Sequence, residues 1–256
     1  MAIKQNFIWV VLFFFCFLTD YTPIAVSAED DVEKEEIRFV YTDIPPLIYT
    51  NDQGEAAGPI FELLSKVMEK TGYRWKAYHR PQGRLMHEII KGKYNLWVGF
   101  EKSLNVVPDL KSEVLMSRNI IHAMNINVYW VGDTKPIEKM EDLRGKKLIT
   151  ILGYTYAGWT NFIRDPANNI SECHASQFRN LVLMLKYGRC DYLINYEDPM
   201  REIIREIPIS DLKYKNVAHH DLRFMFDKRI EGGQEIMENI DKAYEALKDE
   251  GLLPIR

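Results

Sequence analysis

The residues of this chain that could do chemistry form no catalytic set at short spacing. Its six histidines contain no pair at the spacing that places two imidazoles on one metal, and His219 and His220 are adjacent, so on a strand they point apart. No serine, cysteine or lysine stands in a recognisable nucleophile–base arrangement, and no glycine run is built to cradle phosphate. Glu101, Glu197 and Asp198 are the carboxylates best placed for acid–base work, but a carboxylate at a loop is more often a binding or positioning group. The expectation is therefore a protein that is not an enzyme and that uses neither metal nor cofactor. What the chain does offer is aromatic surface mixed with a few charges: Tyr41, Tyr49, Tyr78, Phe100, Tyr154, Tyr156, Trp159 and Tyr196, with Asp43, Arg80, Arg84 and Lys102. A tyrosine presents a flat apolar face and a hydroxyl, which suits it to orienting a small organic solute.

The elements that must position these residues are legible as alternating strands and helices. IRFVY at 37–41 reads as a strand, and the proline- and glycine-punctuated stretch 44–58 reads as a loop or hairpin. Residues 59–71 carry Ile60, Leu63, Leu64, Val67 and Met68 on one helical face, between Pro59 and Gly72. A strand at 73–79, a helix at 83–91 ended by Gly92 and a strand at 94–100 follow. The order β-loop-α-β-α-β predicts a parallel sheet with helical crossovers. A second unit of the same kind has a strand at LITIL, a turn at Gly153, a helix from about Thr155, a strand at 170–175, a helix at 176–188 and a strand at 190–195. The stretch 114–132 joins the two units, and a helix at 234–250, capped by Gly251, closes the chain. In open α/β sheets ligands lie beyond the carboxyl ends of the strands. Five loops meet that condition: Tyr41–Asp43, Tyr78–Arg80, Phe100–Ser103, Gly153–Tyr156 and Asn195–Asp198.

Composition narrows the setting. The chain has 256 residues, 46% hydrophobic and 27% charged, with a formal charge of −4, which is the make-up of a folded protein and argues against a nucleic-acid partner. FIWVVLFFFCFL at 7–18 is a twelve-residue uncharged apolar run behind Lys4. A membrane span takes about 20 such residues, and Val26 and Ala28 stand where a signal peptidase reads small side chains. A secretion signal over 1–28, cleaved after Ala28, is expected, followed by a solvated charge run at 29–36. Cys173 and Cys190 remain in the mature chain. Placed at the end of one strand and the start of the next, they would lie on opposite edges of a β-α-β unit, beyond the roughly 7 Å between Cα atoms that a bridge allows. Two free thiols are the expectation.

Taken in order, these pieces resemble the extracytoplasmic solute-binding proteins of ABC importers, of the polar-amino-acid type. The resemblance is carried by YTDIPPLIYTNDQGEAAGPIFELL with Pro45, Pro46, Tyr49, Gly58 and Glu62; by KGKYN at 91–95, with Asn95 where the family has aspartate; by DLRGKKLITILGYT; by LKYGRCDYLIN; and by the closing IDKAYEALKDEGLLPI. It covers nearly all of residues 37–256. It implies an α/β, two-lobe, periplasmic-binding-protein-like fold, each lobe a mostly parallel sheet flanked by helices, joined by two crossover strands. Lobe one would be 37–125 plus 221–256 and lobe two 126–220. It further implies a periplasmic, monomeric protein that closes as a hinge on a small solute and delivers it to a membrane permease. A sensor that presents its ligand to a receptor is the alternative the sequence leaves open, with a dehydratase or lyase on the same fold behind it. The ligand-binding residues expected from the loops and the resemblance are Asp43, Tyr78, Arg80, Phe100, Lys102, Tyr154, Thr155, Tyr156, Tyr196 and Glu197, with Arg80 the better anion clamp. Two departures from the family matter. Val107 stands where amino-acid binders carry the arginine for the α-carboxylate, and Tyr196 where they carry the aspartate for the α-ammonium, so an ordinary free α-amino acid is not the expected ligand.

Overall fold

The computed structural model describes residues 36–255; the apolar run at 7–18, the cleavage point after Ala28 and nearly all of the charge run lie outside the described residues. The chain runs β1 (Ile37–Tyr41), β2 (Tyr49–Thr50), β3 (Ala56–Ala57), α1 (Pro59–Thr71), β4 (Trp75–His79), α2 (Gln82–Ile90), β5 (Leu96–Phe100), α3 (Pro108–Lys111), β6 (Val114–Met116) and β7 (His122–Val131). It continues through β8 (Lys147–Ile151), α4 (Thr160–Arg164), β9 (Ser171–Ala175), α5 (Phe178–Lys186), β10 (Tyr192–Tyr196), α6 (Glu197–Glu206), β11 (Leu212–Asp227) and α7 (Gly233–Asp249).

The main sheet is ordered β4-β1-β5-β11-β7-β10-β8-β9, with β6 also pairing β11. At one end β4, β1 and β5 are parallel, and at the other β10, β8 and β9 are parallel. Between these two trios run β7 and β11, antiparallel to each other from Leu212↔Val131 to Leu222↔His122. β11 then continues antiparallel along β5, while β7 pairs antiparallel with β10. The boundaries expected at 125/126 and 220/221 fall within these two long strands. A parallel trio buries both faces and needs a helical crossover for each connection, and α1, α2, α4 and α5 supply them.

The helix signals in the sequence are physical at both ends of α1. Gly72 adopts φ 68°, and its amide donates to the Met68 carbonyl at 3.0 Å, a left-handed cap that an L side chain would strain. Gly58, which enters the helix, has φ 102°, and a Cβ there would stand 2.6 Å from the Leu47 carbonyl oxygen. The buried face of α1, Ile60, Leu63, Leu64, Val67 and Met68, packs on β1 and α7, and Lys70 reaches Glu250 just beyond α7 at 2.8 Å.

Three expectations are corrected here. The helix expected from Thr155 begins at Thr160; before it the chain makes a 3-10 turn in which Tyr156 and Ala157 have positive φ, 47° and 52°. The reason is that the Tyr156 ring turns inward, where its hydroxyl accepts the Ile151 amide at 2.6 Å. Glu197 and Asp198, expected in a loop after the last strand of the second unit, open α6 instead; Pro199 and Met200 are buried and Ile203 and Ile204 pack beside them on the core. The third correction is covalent. Cys173 and Cys190 are disulfide-bonded, with Cα atoms 6.6 Å apart. Cys173 lies in the middle of β9 rather than at its end, and Cys190 has not yet entered β10. The turn at Gly188 folds Arg189 and Cys190 back so that the Arg189 carbonyl lies 3.9 Å from the Cys173 sulfur.

Candidate functional site

The carboxyl ends of β1 and β5 face the carboxyl ends of β8 and β10, and the loops that follow them touch. The Tyr154 hydroxyl, just past β8, donates to the Asp43 carbonyl just past β1, at 3.0 Å. The Thr155 and Ser103 hydroxyls are 3.2 Å apart. Gly158 lies so close to the segment after β5 that a Cβ would meet the Lys102 carbonyl oxygen at 2.8 Å, and a Cβ on Gly153 would meet the Gly83 amide nitrogen at 3.2 Å. Only glycine permits both approaches with the positive φ observed.

Between these loops lies an inner cavity of about 80 Å³. Its rim is aromatic: the Phe100 and Tyr196 rings stack with centroids 5.5 Å apart, and Tyr154 packs 6.0 Å from Tyr196. Its wall is aliphatic, thioether and indole, from Val40, Ile48, Met86, Trp97, Leu104 and Met225, and the polar atoms come from Thr42, Gln82, Ser103 and Thr155. Burial raises the hydroxyl pKa of Tyr154 and Tyr196, and of Tyr156 behind them. These groups stay protonated and uncharged at neutral pH, so the rim offers hydrogen bonds without charge. For scale, an engineered cavity of about 150 Å³ in another protein admits benzene.

An outer cavity of about 590 Å³ adjoins it and shares Thr42, Gln82 and Tyr154. Asp43, His79, Gly83 and Arg84 line one side, and Leu152, Gly153, Ser176, Gln177 and Phe178 the other. The Asp43 carboxylate is already engaged. One oxygen accepts from the Thr50 amide at 2.9 Å and from its hydroxyl at 3.2 Å, and the other lies 3.4 Å from His79 Nε2.

The ten expected residues are thus distributed unevenly. Phe100, Tyr154, Thr155 and Tyr196 line the inner cavity, Asp43 and Tyr154 the outer one, and Tyr156 backs the rim. Tyr78 and Arg80 lie outside both. Tyr78 packs against Tyr94 at 5.3 Å. Arg80 donates to Glu88 at 2.9 Å and to the His79 carbonyl at 2.6 Å, over the Tyr94 ring. The hydrogen bonds from Arg80 and then Lys93 hold the Glu88 carboxyl below its ordinary pKa. Lys102 is exposed on the 3-10 turn after β5. Glu197 accepts from Asn125 at 2.8 Å and Arg201 at 3.1 Å, and its neighbour Asp198 lies 3.1 Å from His122. These carboxylates tie α6 to β7, which carries both Asn125 and His122.

Sequence reasoning missed the inner wall. Ile48, Met86, Trp97, Leu104 and Met225 carry no polar signal and read as core; only Gln82, opening a helix beyond a strand end, had a positional cue. Beneath Phe100, with ring centroids 6.1 Å apart, lies His220, whose Nε2 is buried with no hydrogen-bond partner among the described residues. Burial, then the Lys102 and His219 charges, lower its pKa, with Asp221 opposing.

No protein-family model and no curated protein sequence matches the chain. Solved structures do. The fold is similar to that of an ancestral arginine-binding protein bound to arginine (19% identity, TM-score 0.66, covering 85% of this chain and 94% of that one). It is likewise similar to a putative L-cystine ABC transporter protein from Listeria monocytogenes (20%, 0.68, 86% and 92%). A histidine kinase sensor domain with similarity to periplasmic binding proteins matches as well (17%, 0.68, 86% and 93%). At such identities the likeness establishes the fold, which is α/β and periplasmic-binding-protein-like, as the sequence motifs implied.

Proposed function

We propose that the chain is an exported solute-binding protein that captures a small organic ligand between two lobes, residues 37–125 with 221–256 and residues 126–220, and delivers it to an ABC-type importer. The observation that carries this reading is the pair of cavities walled by loops from both parallel trios, with the hydrogen bonds Tyr154–Asp43 and Ser103–Thr155 spanning them. A solute seated there contacts both sides only while they are together, so binding favours the approximated arrangement by linkage. The inner cavity, at about 80 Å³, is smaller than any typical ligand site of about 300–1,000 Å³. Entry of a solute therefore requires the spanning contacts to open, with β7 and β11 as the hinge. Similarity to structures described as amino-acid transporter components supports the assignment to transport.

The ligand in this reading is not an ordinary free α-amino acid. Val107 and Tyr196 stand where the resembled family carries its charged partners, and the inner rim is uncharged. Losing both charged partners weakens binding by roughly two to four powers of ten. The deciding experiment is mass spectrometry of the small molecule that co-purifies with the chain, followed by thermal-shift and calorimetric titration. A co-purifying solute that raises the melting temperature supports the reading; micromolar binding of glutamine, arginine or histidine overturns the ligand assignment. A sensor role is the second reading, favoured by the sensor-domain match, as high in TM-score as the transporter match. Co-purification with a permease distinguishes transport from it. The protein is expected to be a periplasmic monomer, with N-terminal sequencing of secreted protein starting at Glu29 and a single-chain mass in solution.

A further inference from the structure

The two adjoining cavities differ in chemistry, and that difference constrains the solute. The inner one is walled by aliphatic, thioether and indole groups under hydroxyls that stay protonated. An ionised group placed there would lose its hydration without a charged partner, which is costly. The outer one carries the charge. Of its ionisable side chains, Asp43 and His79 are spent on each other and on Thr50. The Arg84 guanidinium, in the first turn of α2, has no hydrogen bond or ion pair among the described residues, its backbone amide alone donating to the Pro81 carbonyl at 2.8 Å. Arg80, the other arginine of this region, is held by Glu88 and lines neither cavity. A guanidinium is permanently charged and presents two parallel donors to a carboxylate.

We propose that Arg84 is the anion-reading residue of this cleft, and that the solute is a small monoanionic carboxylate whose short uncharged tail occupies the inner cavity. The proposal rests on the solute-binding reading above and names the substrate class of that site. Tyr154 and Gln82, shared by both cavities, stand where tail and head would join. A second negative charge would sit against the Asp43 carboxylate, and an α-ammonium would find that carboxylate already occupied.

The test is calorimetry of the full chain with 3-methylbutanoate, its uncharged amide, leucine and succinate. The carboxylate is expected to bind at least ten-fold more tightly than the other three. Arg84→Gln is expected to weaken carboxylate binding by about 10–100-fold, the range of one charge-assisted contact, whereas Arg84→Lys loses less and Arg80→Gln changes it by less than three-fold. Arg84 is exposed, so an unchanged melting temperature of the unliganded variants serves as the folding control. Tighter binding of leucine or succinate, or an Arg84→Gln variant within three-fold of the parent, overturns the proposal. If none of the four binds and the co-purifying solute is a sugar or a cation, the substrate class falls while the solute-binding reading stands. If nothing co-purifies and no solute in a broad screen shifts the melting temperature, the solute-binding reading itself falls.

Discussion

His220 shows how one buried side chain ties stability to pH. Its imidazole lies under Phe100, and burial, with Lys102 and His219 nearby, lowers its folded-state pKa below the usual histidine value of about 6.5. Above that value the imidazole is neutral in both folded and unfolded chains and adds no pH dependence. As pH falls through 6.5 the unfolded chain takes up a proton that the folded chain resists, so the unfolded state binds more protons and folding stability declines. The unliganded melting temperature is therefore expected to fall between pH 7 and pH 5.5. His220→Gln should flatten that decline, and an unchanged slope would mean that other groups set it. At the same scale, the lining residues divide by how they can be found. Phe100, Tyr154 and Tyr196 have aromatic rings at strand ends and were visible as such, while Met86 and Trp97 face the cavity from positions that only packing defines.

Among the elements, the entry to α1 and the bridge at β9 make the sharpest claims. Gly58 has a backbone conformation that side chains rarely adopt, with Leu47 and Pro46 carbonyl oxygens within 3 Å of where a Cβ would be. Gly58→Ala is expected to cost about 2–4 kcal/mol from strain and overpacking together, read as a lower urea midpoint at unchanged slope. Gly72→Ala, with nothing within 4 Å of its Cβ, should cost less. The Cys173–Cys190 bridge spans a sequence separation of 17, a loop for which closure entropy is worth about 3 kcal/mol. Denatured, non-reduced chain beginning at Glu29 is expected to show no titratable thiol and to show two after reduction. Replacing both cysteines by alanine should lower stability by about 2–4 kcal/mol and loosen the edge strand β9 before the rest of the sheet, seen as faster hydrogen exchange in residues 171–175.

Across the whole molecule the question is how tightly the two sets of loops hold each other. Gly158 sits against the Lys102 carbonyl, the closest glycine contact between the segments after β5 and β8. An alanine there adds a methyl group that cannot fit without moving backbone, and it does so at an interface rather than in a core. Gly158→Ala is therefore expected to favour separation of the two sides. Small-angle scattering should give a larger radius of gyration in the presence of saturating solute, and affinity should fall by at least ten-fold. A radius of gyration and an affinity equal to the parent's would show that this contact does not govern closure.

What the sequence determined by itself is the order of most strands and helices and most of the loops at the strand ends. Both follow from local rules: apolar period, proline entry, glycine exit, and the placement of loops relative to a parallel sheet. α1 was legible to the residue, Pro59–Thr71, because its apolar face and both boundary residues are local. α6 was not, since it is only ten residues long, six of them charged, and its apolar face is confined to Pro199, Met200, Ile203 and Ile204. Only the tertiary structure decided which side chains those loops turn inward. The Cys173–Cys190 bridge depends on Cys173 being mid-strand and on a glycine turn that reverses the chain, two facts about distance that spacing along the sequence does not encode. Likewise Arg80 and Arg84 are four residues apart and chemically identical in sequence. Glu88 on α2 engages one of them and leaves the other facing the outer cavity. Charge pairing is a property of positions in space, so which arginine remains available to a solute is settled by packing alone.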